Sequence, residues 1–338
     1  MNLRRHSLLL ALLLALPNTA ISSAADTGGK APSLHRLEPL GRRVIHGAGQ
    51  SPDDFRAYFD AVGDTKPEIY MTYLGLQMKP EDIKEWFFQL KKELGKYDDD
   101  VHLIPEIGLS MTVDGSPDQH YEGKVAQGDM DTNIDAVCEG LAGLQRPAFV
   151  RIGYEFNGSW NGYQPETYKA AWKRIVDKLR ANELENVATV WCIGAETADY
   201  MKYYPGDDLV DWWGIDLFSA DQLAPRGFSN DFVQAAAQHG FPVIIGESTP
   251  RYVGVLQGHA SWDKWFVPYF AFIAQHENVK AFCYISWNWA QYSQWADWGD
   301  ARIAVNPVVL DHFKTELAKP IYIHGTDQNS LQSLLQIK

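Results

Sequence analysis

Eight short apolar runs, at residues 43–46, 68–74, 102–109, 148–155, 187–193, 210–218, 242–247 and 280–287, alternate with longer stretches of helical periodicity. Runs of this length suit strands buried on both faces, and the stretches between them repeat their apolar residues at intervals of three and four. The helical stretches at 52–62, 80–94, 130–144, 165–182, 228–239 and 261–276 are in several cases opened by Pro or Ser, which suit a first helical turn. Residues 195–208 are weakly helical, so the fifth helix is expected to be a stub. Eight such units in 338 residues fit a closed (β/α)8 TIM barrel of the α/β class better than an open doubly wound sheet.

The chain opens with basic Arg4 and Arg5, a short leucine-rich core and small residues up to Ala25, the pattern of an export signal. The expected division is a signal peptide at 1–25, a single catalytic domain at 26–324 with no internal linker, and a polar tail at 325–338. The leader's apolar run is too short to span a bilayer, and no other stretch approaches the roughly 20 apolar residues a spanning helix needs. A secreted or periplasmic monomer without a membrane span is the expectation.

The net charge of −13 argues against a nucleic-acid partner, and 46% hydrophobic residues suffice for a large core. Cys138, Cys192 and Cys283 are an odd number, so at most one bridge can form; Cys192 and Cys283, inside apolar runs, read as buried inert thiols. Gly47-Ala-Gly-Gln-Ser-Pro52 begins like a dinucleotide fingerprint, but Pro52 takes the place of the third glycine. Neither HExxH, paired-Cys zinc spacing nor a calcium loop occurs, so no metal or other cofactor is expected.

In a barrel of this kind chemistry collects at the carboxyl ends of the strands. Glu155 closes the fourth run and Glu247 the seventh. If strand alternation continues to the end, Arg151, Gly153 and Glu155 share one face, as do Val243, Ile245 and Glu247, and both glutamates point into one mouth. Two carboxylates facing one cavity are what cleavage of a glycosidic bond requires, one protonated and one ionised. The plainer reading is that either glutamate pairs with a barrel arginine such as Arg151. Glu106 precedes the end of its run, Glu196 falls in a loop, and Asp216 reads as an interior ion-pair partner. His46 could touch a sugar or serve as a satisfied core histidine.

Aromatics favour the sugar reading, because pyranose rings stack their C–H faces on indole and phenol. Tyr154, Phe156, Trp160 and Tyr163 surround Glu155, and Trp287, Trp289, Trp295 and Trp298 follow the eighth run, whereas Trp86, Trp172 and Trp265 sit in helical stretches and read as core.

The stretch Arg-Ile-Gly-Tyr-Glu-Phe-Asn-Gly-Ser-Trp at 151–160 resembles the strand-four signature of glycoside hydrolase family 26, the β-mannanase family of the retaining barrel clan. Residues 203–216 are similar to that family's approach to strand six and Pro-Val-Ile-Ile-Gly-Glu at 242–247 to its strand seven, with the likeness running from about Val44 to Leu317. The resemblance implies a retaining β-glycan hydrolase acting by double displacement, with Glu155 as acid/base and Glu247 as nucleophile. The residues expected to contact substrate are Arg151, Tyr154, Asn157, Trp160, Phe218 and Trp287. Two positions depart from the pattern: Tyr154 stands where the family usually has His, and Phe218 where it usually has Tyr. Endo-β-1,4-mannan cleavage is the first expectation, with β-glucan or β-xylan as alternatives and a non-catalytic polysaccharide-binding barrel as the other class.

Overall fold

The computed structural model describes residues 34–113, 116–195 and 199–327. The expected leader, Glu196 and most of the expected tail lie outside these. Eight parallel strands form one closed sheet: β1 (Val44–Gly49), β2 (Ile69–Gly75), β3 (Ile104–Ser110), β4 (Ala148–Ile152), β5 (Val187–Gly194), β6 (Trp212–Leu217), β7 (Val243–Ser248) and β8 (Val279–Ile285). They follow in chain order, and β8 returns to pair with β1, Ile45 opposite Ala281. The expected (β/α)8 barrel is therefore the observed fold. Tyr322–Ile323 adds two residues against the start of β1.

The helices include Pro52–Ala61, Pro80–Gly95, Asp131–Leu144, Pro165–Ala181, Phe228–Gln238, Val267–Gln275 and Pro307–Leu317. Four of these begin on Pro, whose fixed φ suits a first turn and whose missing N–H costs nothing there. The Ser51 hydroxyl accepts from the Asp54 N–H, capping the first helix. Between β5 and β6 the described chain makes only two 3-10 turns, Tyr200–Tyr203 and Asp207–Leu209, which is the stub its weak periodicity implied.

Alternation along the strands sorts the core into two layers. Ile45, Ile69, Ile104, Phe149, Val190, Trp212, Ile244 and Ala281 fill the barrel's lower interior. Val150, Trp191, Trp213, Ile215, Val243, Ile245 and Phe282 face outward and pack under the helices. Trp172 and Trp265 are fully buried in this outer layer, and Trp86 is partly buried against it. The three cysteines are buried and unbridged. His46 is buried too, held by Tyr58 and His324 away from the mouth, so its core reading is the right one.

Trp172 and Trp160 should separate cleanly on substitution. Trp172→Ala, which removes a sealed indole, should lower unfolding free energy by about 3–5 kcal/mol in urea titrations. Trp160→Ala, at a half-exposed site, should cost roughly 1 kcal/mol or less in folding.

Candidate active site

Above the apolar floor the barrel holds a charged layer. Arg151, fully buried on β4, places Nη1 3.1 Å from Asp216 Oδ2 on β6 and Nη2 2.8 Å from Glu247 Oε1 on β7, and its Nε pairs with Glu106 on β3. Burial alone would lower the guanidinium pKa, but the charges of Glu106, Asp216 and Glu247 outweigh it and hold it well above the usual range. The reverse holds for two of its partners. Burial pushes Glu106 up to about 7 against the pull of Arg151, and drives Asp216 well above the ordinary aspartate range. The Cys192 thiol donates to Asp216 Oδ1 at 3.3 Å. Gly246 makes room for this layer: a Cβ there would lie 2.8 Å from Arg151 Cδ and 2.9 Å from Asp216 Oδ1.

Glu247 reaches the interior by a route that simple alternation misses. Ile244 faces the barrel interior while Val243 and Ile245 face the helices. Uninterrupted alternation would therefore turn Glu247 outward. The pairing of β6 with β7 shifts between Ile215–Ile245 and Asp216–Glu247, so Gly246 is the extra residue of a bulge that turns Glu247 inward. The grouping of Glu247 with Val243 and Ile245 on one face is thus corrected, although the glutamate's destination is as expected.

Glu155 is also placed by a departure from strand geometry. β4 stops at Ile152, and Gly153 and Glu155 then adopt φ of 52° and 51°. A glutamate in the left-handed region is unusual and is held there by its surroundings. The Glu155 N–H donates to Cys192 O at 2.9 Å. Asn161 Nδ2 donates to the carbonyls of Tyr154 and Glu155, and Trp160 Nε1 donates to Glu155 Oε2 at 3.0 Å.

Both glutamates line one cleft of about 480 Å³ at the carboxyl end of the barrel, together with Tyr73, Tyr154, Trp160, Phe218, Trp287 and Trp298. Trp289 and Trp295 complete an aromatic wall in which neighbouring rings lie 4.7 to 6.5 Å apart. The phenols of Tyr73 and Tyr154 are pushed up, first by burial and then by the charge of Glu247. Four of the six residues expected to contact substrate, Tyr154, Trp160, Phe218 and Trp287, line this cleft.

Two do not. Arg151 lies beneath the surface, 0% exposed, and its charge is committed to the three carboxylates. Asn157 donates to Gly194 O and accepts from Gly194 N–H, both at 2.9 Å, so its amide is spent on joining the Glu155 turn to β5. Phe156 and Tyr163 are buried in the outer core and away from the cleft wall. Sequence reasoning missed Gln50, Tyr73, Gln77, Thr112 and Asn161 as lining residues. Tyr73 ends the second apolar run but one residue, and that position was the available signal.

Two consequences are measurable. Folded Glu106 holds its proton up to about 7, against an ordinary 4.5, so between those values folding takes up a proton and stability falls as pH rises. Glu106→Gln should flatten that fall by roughly 1–3 kcal/mol in urea midpoints compared across the window; an unchanged slope would show that the native carboxylate is already ionised. A Cβ on Gly194 would sit 3.3 Å from Glu155 Oε1 and 3.6 Å from Trp160 Cζ2. Gly194→Ala should accordingly reduce kcat by roughly ten- to a hundredfold with almost no change in Tm.

The family model for glycosyl hydrolase family 26 matches residues 107–281, more than half of the chain. A β-1,3-xylanase of an Alcaligenes species is 31% identical over 239 residues, covering 60% of this chain and 50% of that protein. The β-1,3-xylanase TXYA of a Vibrio species is 26% identical over 342 residues, covering 90% of this chain and 72% of that protein. The chain thus spans half the length of the Alcaligenes relative. Among solved structures, the Bacillus subtilis mannanase man26 superposes with a TM-score of 0.60 at 18% identity, covering 85% of this chain and 88% of that one, a likeness of fold. With the family model matching more than half of its residues on a (β/α)8 barrel, the chain belongs to glycosyl hydrolase family 26.

Proposed function

We propose that this chain is an exported glycoside hydrolase that cleaves β-glycans with retention, with Glu247 as nucleophile and Glu155 as acid/base. The observation that carries the reading is that the two glutamates line one cleft but are held by unlike partners, an indole N–H on one and a buried guanidinium on the other. Arg151 takes Oε1 of Glu247, and Oε2 makes no hydrogen bond among the described residues. That oxygen attacks the anomeric carbon as Glu155 gives its proton to the departing glycosidic oxygen. Water then enters, loses a proton to Glu155 and releases the sugar from Glu247 with its original anomeric configuration. The aromatic wall holds sugar rings by their C–H faces and excludes water from the reacting bond. The leader pattern at 1–25 supports work outside the cytoplasm.

For the substrate, β-1,3-xylan stands ahead of the β-mannan that the strand-four resemblance put first. The sequence relatives at 31% and 26% identity are β-1,3-xylanases, whereas the mannanase likeness, at 18%, is one of fold. Tyr154 and Phe218, which depart from the usual mannanase residues, both line the cleft and support the same choice. Chromatography of digests of β-1,3-xylan, β-1,4-xylan, mannan and mixed-linkage glucan tests the substrate. Release of oligosaccharides from mannan and none from β-1,3-xylan would reverse the order.

The roles of the two glutamates can be told apart chemically. On an aryl glycoside whose leaving group needs no proton, Glu155→Ala should still form the covalent intermediate, and azide should discharge it as a β-glycosyl azide. Glu247→Ala with azide should give the α-azide, the anion occupying the vacated space. Proton NMR of the products reads the anomer; exchanged outcomes would reverse the assignment.

A further inference from the structure

Arg251 is a cation for which the catalytic scheme has no use. It lies four residues after Glu247, and its guanidinium carbon is 4.3 Å from the centroid of the Trp298 ring and 4.5 Å from that of Tyr252. The group is thus clasped by two aromatic rings. Tyr252 pays for its place with a φ of 65°, a conformation rare for a bulky residue, while remaining 51% exposed. Arg251 Nε is buried without a hydrogen-bond partner, and no acid pairs with the side chain among the described residues. The nearby Asp300, whose carbonyl accepts from the Val255 N–H of the same segment, has its carboxylate taken by Arg302.

Stacking uses the faces of a guanidinium and leaves its N–H donors directed outward in the plane, the geometry that meets a carboxylate or sulfate oxygen pair. Arg251 is partly exposed, and Trp298 lines the same cleft as Glu155 and Glu247. Arg251 is not itself a lining residue of the cleft but stacks on one, so a glycan substituent that reaches past the Trp298 ring meets this cation. In a chain of net charge −13, an arginine with no acid partner among the described residues, stacked on a cleft-lining ring, is a local inversion of the field.

The geometry points to an anion-reading subsite, in which Arg251, clasped by Trp298 and Tyr252, receives a carboxylate or sulfate-ester substituent of the bound glycan. This rests on the β-glycan hydrolase reading of the cleft and adds to it a class of decorated substrate. Neutral chains remain substrates; charged ones gain a contact at one end of the cleft.

The test is a comparison of matched sugars. Dissociation constants are measured by ligand-observed NMR at low salt for methyl β-glucuronide against methyl β-glucoside, and for glucose 6-sulfate against glucose. At least one charged member should bind roughly tenfold tighter than its neutral partner and lose most of that gain in high salt. Arg251→Ala should erase the difference with turnover of neutral polysaccharide unchanged, and Arg251→Lys should keep part of it. Arg251→Gln, which retains a planar group between the rings, serves if the alanine variant melts early. A gain confined to the glucuronide assigns the subsite to carboxylates, and one confined to the sulfate assigns it to sulfate esters. Equal binding within both pairs, or a gain that survives both Arg251→Ala and Arg251→Gln, overturns the proposal. Failure of the wild type to cleave any β-glycan would instead sink the hydrolase reading, with the matched-sugar comparison still readable on its own.

Discussion

One guanidinium set among three carboxylates organises this molecule's upper half. Arg151 draws Glu106 from β3, Asp216 from β6 and Glu247 from β7 to a single buried point, so four strands of the barrel share one electrostatic centre. With every carboxylate ionised the cluster would carry excess negative charge in a low-dielectric interior, a costly state. Burial opposes that state by raising the pKa of Glu106 and Asp216 against the pull of Arg151. The arginine is a positioning residue whose contact with Glu247 is one bond of a larger network. Removal of any member should leave the others with an uncompensated buried group.

The barrel was readable because its evidence is distributed: eight apolar runs and their helical partners each say the same thing, and the weak stretch at 195–208 marked the missing helix. That the two glutamates share one cleft was readable, but not the route by which the chain brings them there. Glu247 was found because it ends an apolar run, yet its inward aim depends on a bulge at Gly246 that periodicity does not encode. Glu155 was found because it closes the fourth apolar run, yet it lies beyond the strand in a left-handed turn fixed by Asn161 and by a carbonyl of β5. Arg151 looked like a sugar contact because it shares a motif with Glu155. The plainer reading, that a barrel glutamate pairs with it, holds for Glu247, and the structure adds Glu106 and Asp216 from two further strands.

The tryptophans show how one residue type divides between folding and recognition. Trp172 and Trp265, at helical positions, are sealed between barrel and helices, while Trp160, Trp287, Trp289, Trp295 and Trp298 come after strand ends and line the cleft. Position relative to the strand end, and not hydrophobicity, separates the two sets. Trp160 belongs partly to both, since its ring forms cleft wall while its indole N–H orients Glu155.

The wall between β5 and β6 bears a cost that the rest of the barrel avoids. No full helix follows β5 among the described residues: Phe232 of the helix Phe228–Gln238 packs on Trp191 and Trp213, but the rest of their cover includes Tyr200 and Tyr204, on and just after a single 3-10 turn. Such a cover opens more readily than a helix, so amide exchange should begin there before the barrel as a whole yields. The turn that carries Glu155 hangs from this strand, through Glu155 N–H to Cys192 and Asn157 to Gly194. On warming, the placement of Glu155 in the cleft is therefore tethered to a lightly covered flank, and its loss should precede melting of the barrel.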